Sequence, residues 1–365
     1  MKNSFGNSIV ITLFGESHGE YIGAVLDGLA PGIKIDEEYI RAKLALRRPH
    51  GRISTARVEA DEYEIASGVY NGYTTGTPLC ILIRNTNKRS SDYGARLDVP
   101  RPSHADYTAR MKYHGFEDHR GGGHFSGRIT AALVAAGAIL GRALEDKGIY
   151  IGSHITELHG AFDRSFEDYK SDITLVNGKQ FPTLTDSAEE RMVKEIEKAA
   201  AGGDSVGGIL ESAIIGLPAG VGEPWFDSME SMLSHGLFSI PAVKGVEFGL
   251  GFAFADVYGS EGNDTLCIRG GKIVTESNNN GGINGGITNG MPVIFRTVIK
   301  PTPSILKEQT SISLSAMEEA TLKTVGRHDP AIIHRARAVI DAMAAIVVSD
   351  MLTVRYGTDY LATKE

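Results

Sequence analysis

Residues 118–128, DHRGGGHFSGR, combine the side chains and the backbone that bind an anion. Three consecutive glycines lie among arginines, histidines and a serine, directly before a run of small and apolar residues at 129–144. That run predicts a buried helix, so the glycines precede a helix N-terminus, where free N–H groups and the helix dipole favour a phosphate. A flexible polar turn is the alternative, although turns rarely gather so many arginines and histidines. The predicted donors of this anion site are Arg120, His124, Ser126 and Arg128.

A second candidate is GESHG at 15–19, a glycine-flanked turn that follows an apolar, strand-like run. A histidine at a strand end in such a turn is expected to be exposed and positioned for proton transfer, which makes His18 a candidate. The same letters match the G-x-S-x-G turn of Ser–His hydrolases, in which Ser17 would be the nucleophile. That turn requires a helix directly behind it, whereas residues 20–28 (EYIGAVLDG) have a strand-like pattern. A hydrolase is therefore the weaker interpretation, and a purely structural turn stays open.

The segment 41–57, RAKLALRRPHGRISTAR, contains no acidic residue and forms a cationic region in a chain of net charge −8. Arginine side chains bind phosphate and carboxylate groups through two parallel hydrogen bonds. A solvated helix face is the alternative interpretation. The charges nevertheless continue past Pro49 into a Gly/Ser loop, so we predict a small anionic ligand. The arginines concerned are Arg41, Arg47, Arg48, Arg52 and Arg57.

Two short tracts place a histidine or an acid beside a predicted helix start. In RPSHAD (101–106), His104 falls in the first turn of a helix predicted over 103–113, where the dipole favours a neutral imidazole that can accept a proton. In GRHDP (326–330), Asp329 is either the cap of the last helix or a catalytic group.

A glycine- and asparagine-rich segment at 277–290, SNNNGGINGGITNG, permits positive φ angles. Successive N–H groups in such a segment can form a nest for an anion or a ring carbonyl. A mobile low-complexity loop is the alternative. Lys300, at the end of the following strand-like run, is a candidate contact for a phosphate or a flavin carbonyl.

Composition limits the class of protein. Among 365 residues, 42% are hydrophobic and 22% are charged, as in globular enzymes, and the acidic balance argues against nucleic acid as a partner. We find no CxxC or HExxH metal motif, no P-loop, and no GxGxxG after a strand. The apolar run SIVITLF is too short for a signal peptide or a membrane span, and Cys80 and Cys267 are typical of reduced thiols. We therefore expect a cytoplasmic enzyme that needs no metal, nucleic acid or membrane.

The periodicity predicts an alternation of strands and helices. The predicted strands are 8–14, 22–27, 79–83, 149–156, 208–216, 246–254 and 291–299. The predicted helices are 36–48, 103–113, 127–146, 187–201, 226–237 and 331–353.

Two halves of the chain resemble each other. Residues 22–33 resemble 206–221, and residues 74–85 resemble 288–299, in the same order. We infer an α+β fold of two duplicated halves, about 5–150 and 200–354, within one compact domain spanning 1–365.

Taken together, the motifs resemble those of the chorismate synthase family. They occur in order from about residue 5 to 354: GESHG, RRP with its arginine-rich loop, RPSHAD, DHRGGG…SGR, AVKGVEFG, NNNGGINGGI, KPTPS and GRHDP. Any one of them would be weak, but this ordered set over nearly the whole chain is specific. The resemblance implies a β-α-β sandwich fold and a homotetramer.

The resemblance also implies a reaction. The family's substrate is 5-enolpyruvylshikimate 3-phosphate, which loses phosphate by 1,4-anti elimination to give chorismate. Reduced FMN is required although no net redox change occurs, and some members use NADPH to reduce the flavin whereas others need an outside reductant. An anionic substrate agrees with the cationic region at 41–57.

The family's roles carry over residue by residue. His18 matches the histidine that protonates the departing phosphate, and His104 matches the one that protonates reduced FMN. Ser17 and Asp329 match a pair that relays a proton from the flavin. The matched substrate-binding residues are Arg41, Arg47, Arg48, Arg52 and Arg128. The matched cofactor-binding residues are His124, Phe125, Ser126, Pro241, Ala242, Gly285, Lys300, Pro301, Thr302, Pro303, Ser304 and Arg327.

The chain departs from the family pattern at three places. His124, Phe125 and Ser126 stand where many members have Arg-Ser-Ser, Ser103 replaces a glycine, and Pro241 replaces an asparagine. These departures leave a non-catalytic protein that binds flavin or phosphate as the main alternative. Replacing His18 by alanine separates the two, because an enzyme would lose activity and still bind flavin.

Overall fold

The computed structural model describes residues 2–49, 51, 53–54, 61–86, 98–323 and 329–363; Arg52, Arg57 and Arg327 lie outside these ranges. The helices are α1 Glu37–Arg47, α2 Asp106–Tyr113, α3 Thr130–Asp146, α4 Tyr169–Asn177, α5 Asp186–Ala201, α6 Met229–Ser239, α7 Gly259–Gly262 and α8 Ile333–Tyr356. The strands of the first half are β1 Ser4–Phe5, β2 Val10–Gly15, β3 Tyr21–Asp27, β4 Tyr63–Ser67, β5 Val69–Tyr70, β6 Tyr73–Thr74 and β7 Leu79–Arg84. The remaining strands are β8 Tyr150–Leu158, β9 Ala161–Phe162, β10 Gly208–Ile215, β11 Val243–Phe248, β12 Leu266–Arg269, β13 Lys272–Thr275, β14 Ile283–Asn284, β15 Ile287–Thr288, β16 Val293–Ile299, β17 Gln309–Ser313 and β18 Glu318–Leu322.

Two antiparallel five-stranded sheets enclose a helical layer. The first has the order β1-β2-β3-β7-β4 and the second β11-β16-β10-β8-β9. Helix α3 packs on β3 and β7 of the first sheet, α8 packs on β8 and β10 of the second, and α3 and α8 pack on each other. This β-α-β arrangement confirms the predicted α+β sandwich.

The two central helices approach each other closely because small residues line their contact. A Cβ atom at Gly137 of α3 would lie only 2.5 Å from the Cβ of Ala342 in α8, so a larger residue at 137 would push the helices apart. The stretch Gly127–Asp146 is long and apolar enough to cross a membrane. However, 78% of its most apolar 18-residue segment is buried inside the protein, as in a core helix.

The two halves repeat a hydrogen-bond motif. The hydroxyl of Thr74 accepts from the N–H of Ile33 at 2.8 Å and donates to the carbonyl of Ala30, three residues before Ile33, at 2.6 Å. The hydroxyl of Thr288 accepts from the N–H of Val221 at 2.9 Å and donates to the carbonyl of Pro218, three residues before Val221, at 2.7 Å. In each half the strand that follows, β7 or β16, pairs antiparallel with β3 or β10 respectively.

Several predicted boundaries were wrong. The helix predicted from residue 103 begins at Asp106, because Ser103 has a φ of +58°, which a helix excludes. The predicted strand 246–254 is instead β11, which begins at Val243 and ends at Phe248 before a 3₁₀ turn. The helix predicted from residue 187 begins at Asp186 and is capped by Thr185. Helix α4 and the hairpins β12–β13 and β17–β18 were missed.

Candidate active site

A cavity of about 860 Å³ opens where the N-terminal ends of α3 and α8 lie near the ends of α1, α6 and β16. Its size falls within the range of small-molecule sites. Apolar side chains such as Leu133, Phe238 and Val339 share the wall with basic ones. The predicted site residues that line it are Arg47, His104, His124, Phe125, Ser126, Arg128, Pro241, Ala242, Lys300, Thr302, Pro303, Ser304 and Asp329. Both halves of the chain therefore contribute to one site.

His104 is held from one side by an ionic network. Its Nδ1 lies 2.6 Å from Oδ1 of Asp106, and Arg101 donates to both oxygens of that carboxylate at 2.7 Å. Burial alone would raise the pKa of Asp106, but the hydrogen bonds from Arg101 and His104 hold it far below its usual range. His104 lies in the turn before α2 and not in the first helical turn.

His18 and Ser17 are buried behind the glycine turn, so the predicted exposure of His18 was wrong, and neither residue lines the cavity. The Ser17 hydroxyl lies 3.1 Å from Nδ1 of His18 and 3.0 Å from the carbonyl of Arg120. Gly121 has a φ of +59°, and a Cβ there would lie 2.3 Å from Cε1 of His18. Only glycine fits this contact, which joins the GESHG turn to the tract at 118–128.

The glycine tract serves packing more than the open anion loop that the sequence predicts. Arg120 turns outward and pairs with Asp118 at 2.8 Å. The Ser126 hydroxyl accepts from the N–H of Arg128, which occupies one donor at the helix start. His124 contacts the carbonyl of Gly15 at 2.7 Å through Nδ1, so its Nδ1 carries the proton and donates.

Two predicted substrate arginines share one buried carboxylate. Arg47 donates to Asp61 at 3.0 Å, and Arg128 makes a very short hydrogen bond to the other oxygen of the same group. The side chains of Arg47, Arg128 and Asp61 are 6%, 7% and 0% exposed. Asp61 thus fixes both guanidinium groups at the cavity wall. Asp61 was not predicted from the sequence, because nothing local links it to residue 128.

Lys300 joins two strained backbone positions at the cavity. Its Nζ donates to the carbonyl of Ser103 at 2.7 Å, and its backbone N–H donates to the carbonyl of Ala242 at 3.0 Å. Ser103 and Ala242 have φ values of +58° and +75°, in the left-handed region that favours glycine. Strain of this kind concentrates at functional sites. The hydroxyl of Thr302 nearby is buried without a partner in the described structure.

Asp329 is not the cap of the last helix, since α8 begins at Ile333 after Ile332. Its carboxylate pairs with Arg335 at 2.5 Å, and Arg335 also donates to the carbonyl of Arg47 at 2.8 Å. Arg335 and Lys244 are further basic residues of the cavity wall, and neither was predicted from the sequence as a site residue.

Other predicted residues lie away from the cavity lining. Arg41 is exposed on α1 and pairs with Glu37, and Gly285 occupies the turn between β14 and β15. Arg48 and Pro301 also fall outside the lining residues.

The predicted nest at 277–290 exists, but it binds an internal carboxylate. Asp264 accepts from the N–H groups of Asn279 and Asn280 and from the Ser277 hydroxyl, at 2.7–2.8 Å. This segment is therefore not an open anion site. Among the described residues, no group of three or more histidines, cysteines or acids is arranged to hold a metal ion.

Comparison with known proteins gives consistent matches over the whole chain. A family model described as chorismate synthase matches residues 9–353. The chain is 46% identical over 351 residues to a chorismate synthase of Thermococcus gammatolerans and, over the same length, to one of Pyrococcus abyssi; 96% of this chain and 97% of each relative are covered. A chorismate synthase of Dehalococcoides mccartyi is 44% identical, with 96% of both chains covered. A crystal structure of a chorismate synthase superposes with a TM-score of 0.75 at 28% identity, covering 98% of this chain and 95% of the other.

Proposed function

Because this chain belongs to the chorismate synthase family, we propose that it eliminates phosphate from 5-enolpyruvylshikimate 3-phosphate to give chorismate, with a requirement for reduced FMN. Family membership makes the chain a lyase of the shikimate pathway, which serves aromatic amino acid biosynthesis. In the proposed reaction the C–O bond to phosphate breaks and a proton leaves C6, so no electrons are gained or lost overall. The observation that carries the proposal is a cavity of about 860 Å³ that gathers basic, histidine and apolar residues of both halves.

The donor set of the cavity fits a flavin. An isoalloxazine ring needs apolar walls together with hydrogen-bond donors, and the cavity offers Phe125 and Leu133 as well as Lys300. The buried Thr302 hydroxyl without a partner is a further polar group that a ligand could satisfy. Reduced FMN would supply transient electron donation to the substrate. The residues that would hold it are Phe125, Ser126, Ala242, Lys300 and the turn at 301–304.

The substrate carries two carboxylates and a phosphate, and two arginines at the cavity wall are held in fixed orientations that suit such anions. Arg47 and Arg128 are fixed by Asp61 before any ligand binds, so little side-chain entropy is lost on binding. Lys244 and the N-terminal ends of α3 and α8 add positive potential at the same cavity. This prepared charge favours an anionic substrate over a neutral one.

Two histidines are suited to proton transfer. His104 borders the cavity, and His18 lies behind the glycine turn against Ser17. We assign His104 and His18 to proton transfer, and Ser17 and Asp329 to a supporting relay. The pairing of Asp329 with Arg335 keeps that carboxylate at the cavity wall.

The Ser–His hydrolase is disfavoured by the local structure. Strand β3 follows the GESHG turn directly, where a nucleophile turn needs a helix. The Ser17 hydroxyl is also placed to donate to the carbonyls of Arg120 and Gly121, so it is not a free nucleophile. We further propose a cytoplasmic homotetramer, with NADPH as one candidate source of electrons for the flavin.

An anaerobic assay tests the proposal. Purified protein is mixed with 5-enolpyruvylshikimate 3-phosphate and dithionite-reduced FMN, and chorismate absorbance is followed. We expect product with reduced FMN and none with oxidised FMN; adding NADPH to oxidised FMN then tests self-reduction. No product from protein that binds flavin would support the non-catalytic binding protein instead.

A further inference from the structure

Asp106 occupies a more constrained position than a helix-start carboxylate needs. It is the first residue of α2, where the dipole favours a negative charge. Arg101 donates to it three times, from its backbone N–H at 3.0 Å and from Nε and Nη2 at 2.7 Å each. The carboxylate is therefore locked in one orientation, with Oδ1 directed at His104.

The charge state of this pair follows from its surroundings. Burial opposes ionisation of Asp106, but the hydrogen bonds from Arg101 and His104 outweigh it and lower the pKa of the carboxyl group far below its usual range. Asp106 is thus the anionic partner of this pair. A contact of 2.6 Å between an anionic oxygen and Nδ1 of His104 requires a proton on that nitrogen.

A proton on Nδ1 determines what the other nitrogen can do. In a neutral imidazole with Nδ1–H, Nε2 is the acceptor and the site of further protonation. The Cε1–Nε2 edge of His104 lies over Gly122, where an added Cβ would be 3.5 Å from Cε1 and 3.7 Å from Nε2. Arg101 Nη2 also lies 3.0 Å from Nδ1, but it donates to Oδ1 of Asp106 at 2.7 Å, and a protonated Nδ1 accepts no hydrogen bond from it.

We propose that Asp106, fixed by Arg101, is a positioning residue that holds His104 as the Nδ1–H tautomer and keeps Nε2 free for proton exchange in the cavity. The part of this inference that concerns turnover rests on the proposed function. The part that concerns the tautomer does not, because it is a property of the resting protein.

The tautomer is measured directly by ¹H–¹⁵N spectra of the full chain labelled at histidine, with the His104 signals assigned by their loss in His104→Ala. We expect the Nδ1–H pattern in the wild-type protein and its loss in Asp106→Asn. Asp168→Asn is the matched control, because Asp168 caps the start of α4, has a lowered pKa and hydrogen-bonds to Ser171 and not to a histidine. An Nε2–H tautomer in the wild type would overturn the proposal without any variant.

Kinetics then test the link to turnover. Asp106→Asn should lower kcat on the order of 10²-fold or more, the scale of general acid–base catalysis, with KM for the substrate nearly unchanged. If Asp106 acts through His104, adding Asp106→Asn to His104→Ala should cause no further loss. A further loss in the double variant, or an unchanged kcat in Asp106→Asn, would overturn the proposal. Absence of lyase activity in the wild type would instead count against the proposed function.

Discussion

The shared carboxylate of Asp61 predicts a large and specific loss of stability. Replacing Asp61 by asparagine keeps the size of the side chain but removes the charge that faces Arg47 and Arg128. The three side chains are at most 7% exposed, so water cannot replace the lost interaction. Breaking a buried ion pair by removing one partner costs about 3–5 kcal/mol, because the remaining charges stay buried. We expect Asp61→Asn to lower the free energy of unfolding by that amount.

The matched control is Glu37→Gln, which breaks the pair of Glu37 with Arg41. Those side chains are 61% and 65% exposed, and such pairs contribute less than about 1 kcal/mol. Urea is the appropriate denaturant, since guanidinium is a salt that screens charges. The midpoint and the slope of the urea unfolding transition are compared between each variant and the wild type. A loss below about 1 kcal/mol in Asp61→Asn, equal to that of the control, would refute the claim that Asp61 holds the two arginines.

Three further outcomes are expected. Ser103→Gly should raise the free energy of unfolding by up to about 1 kcal/mol, because glycine has no Cβ and adopts the left-handed conformation of this residue without strain; a lower thermal midpoint would contradict this. Lys300→Ala should weaken FMN binding roughly 10–100-fold in a fluorescence titration, since a charged hydrogen bond contributes about 1.5–3 kcal/mol; unchanged affinity would remove Lys300 from the flavin site. Burial opposes ionisation of Glu211, but the hydrogen bond and charge of His154 outweigh burial and lower the pKa of Glu211 below its usual 4.5. The ionised carboxylate therefore stabilises the fold above pH 4.5, and this stabilisation is lost as the pH falls through the lowered pKa. The stability difference between the wild type and Glu211→Gln should therefore shrink below pH 4.5, and a constant difference would contradict the reasoning.

Local sequence patterns predict the parts of the fold that depend on local physics. The apolar run at 129–144 becomes the buried helix α3, and the repeated segments 22–33 and 206–221 contain the equivalent strands β3 and β10. Hydrophobic periodicity determines these elements almost alone. The motifs that line the cavity were also identified, because their residues are polar in otherwise apolar surroundings.

Long-range partners and backbone angles could not be predicted in the same way. The sequence suggests open N–H groups at 277–290, but Asp264, thirteen or more residues earlier, fills them. Asp61 lies 67 residues from Arg128 in sequence, and the two meet only in the tertiary structure, where the first sheet packs on α3. A serine in the left-handed region at position 103 likewise resembles a helix start until its φ angle is known.

The most direct test of the whole account is the stoichiometry of the anaerobic reaction. Phosphate, chorismate and the redox state of FMN are measured together after 5-enolpyruvylshikimate 3-phosphate is consumed. We predict equal amounts of phosphate and chorismate, with the flavin still reduced at the end. Phosphate without chorismate, or FMN oxidised in proportion to product, would contradict an elimination without net redox change in this cavity.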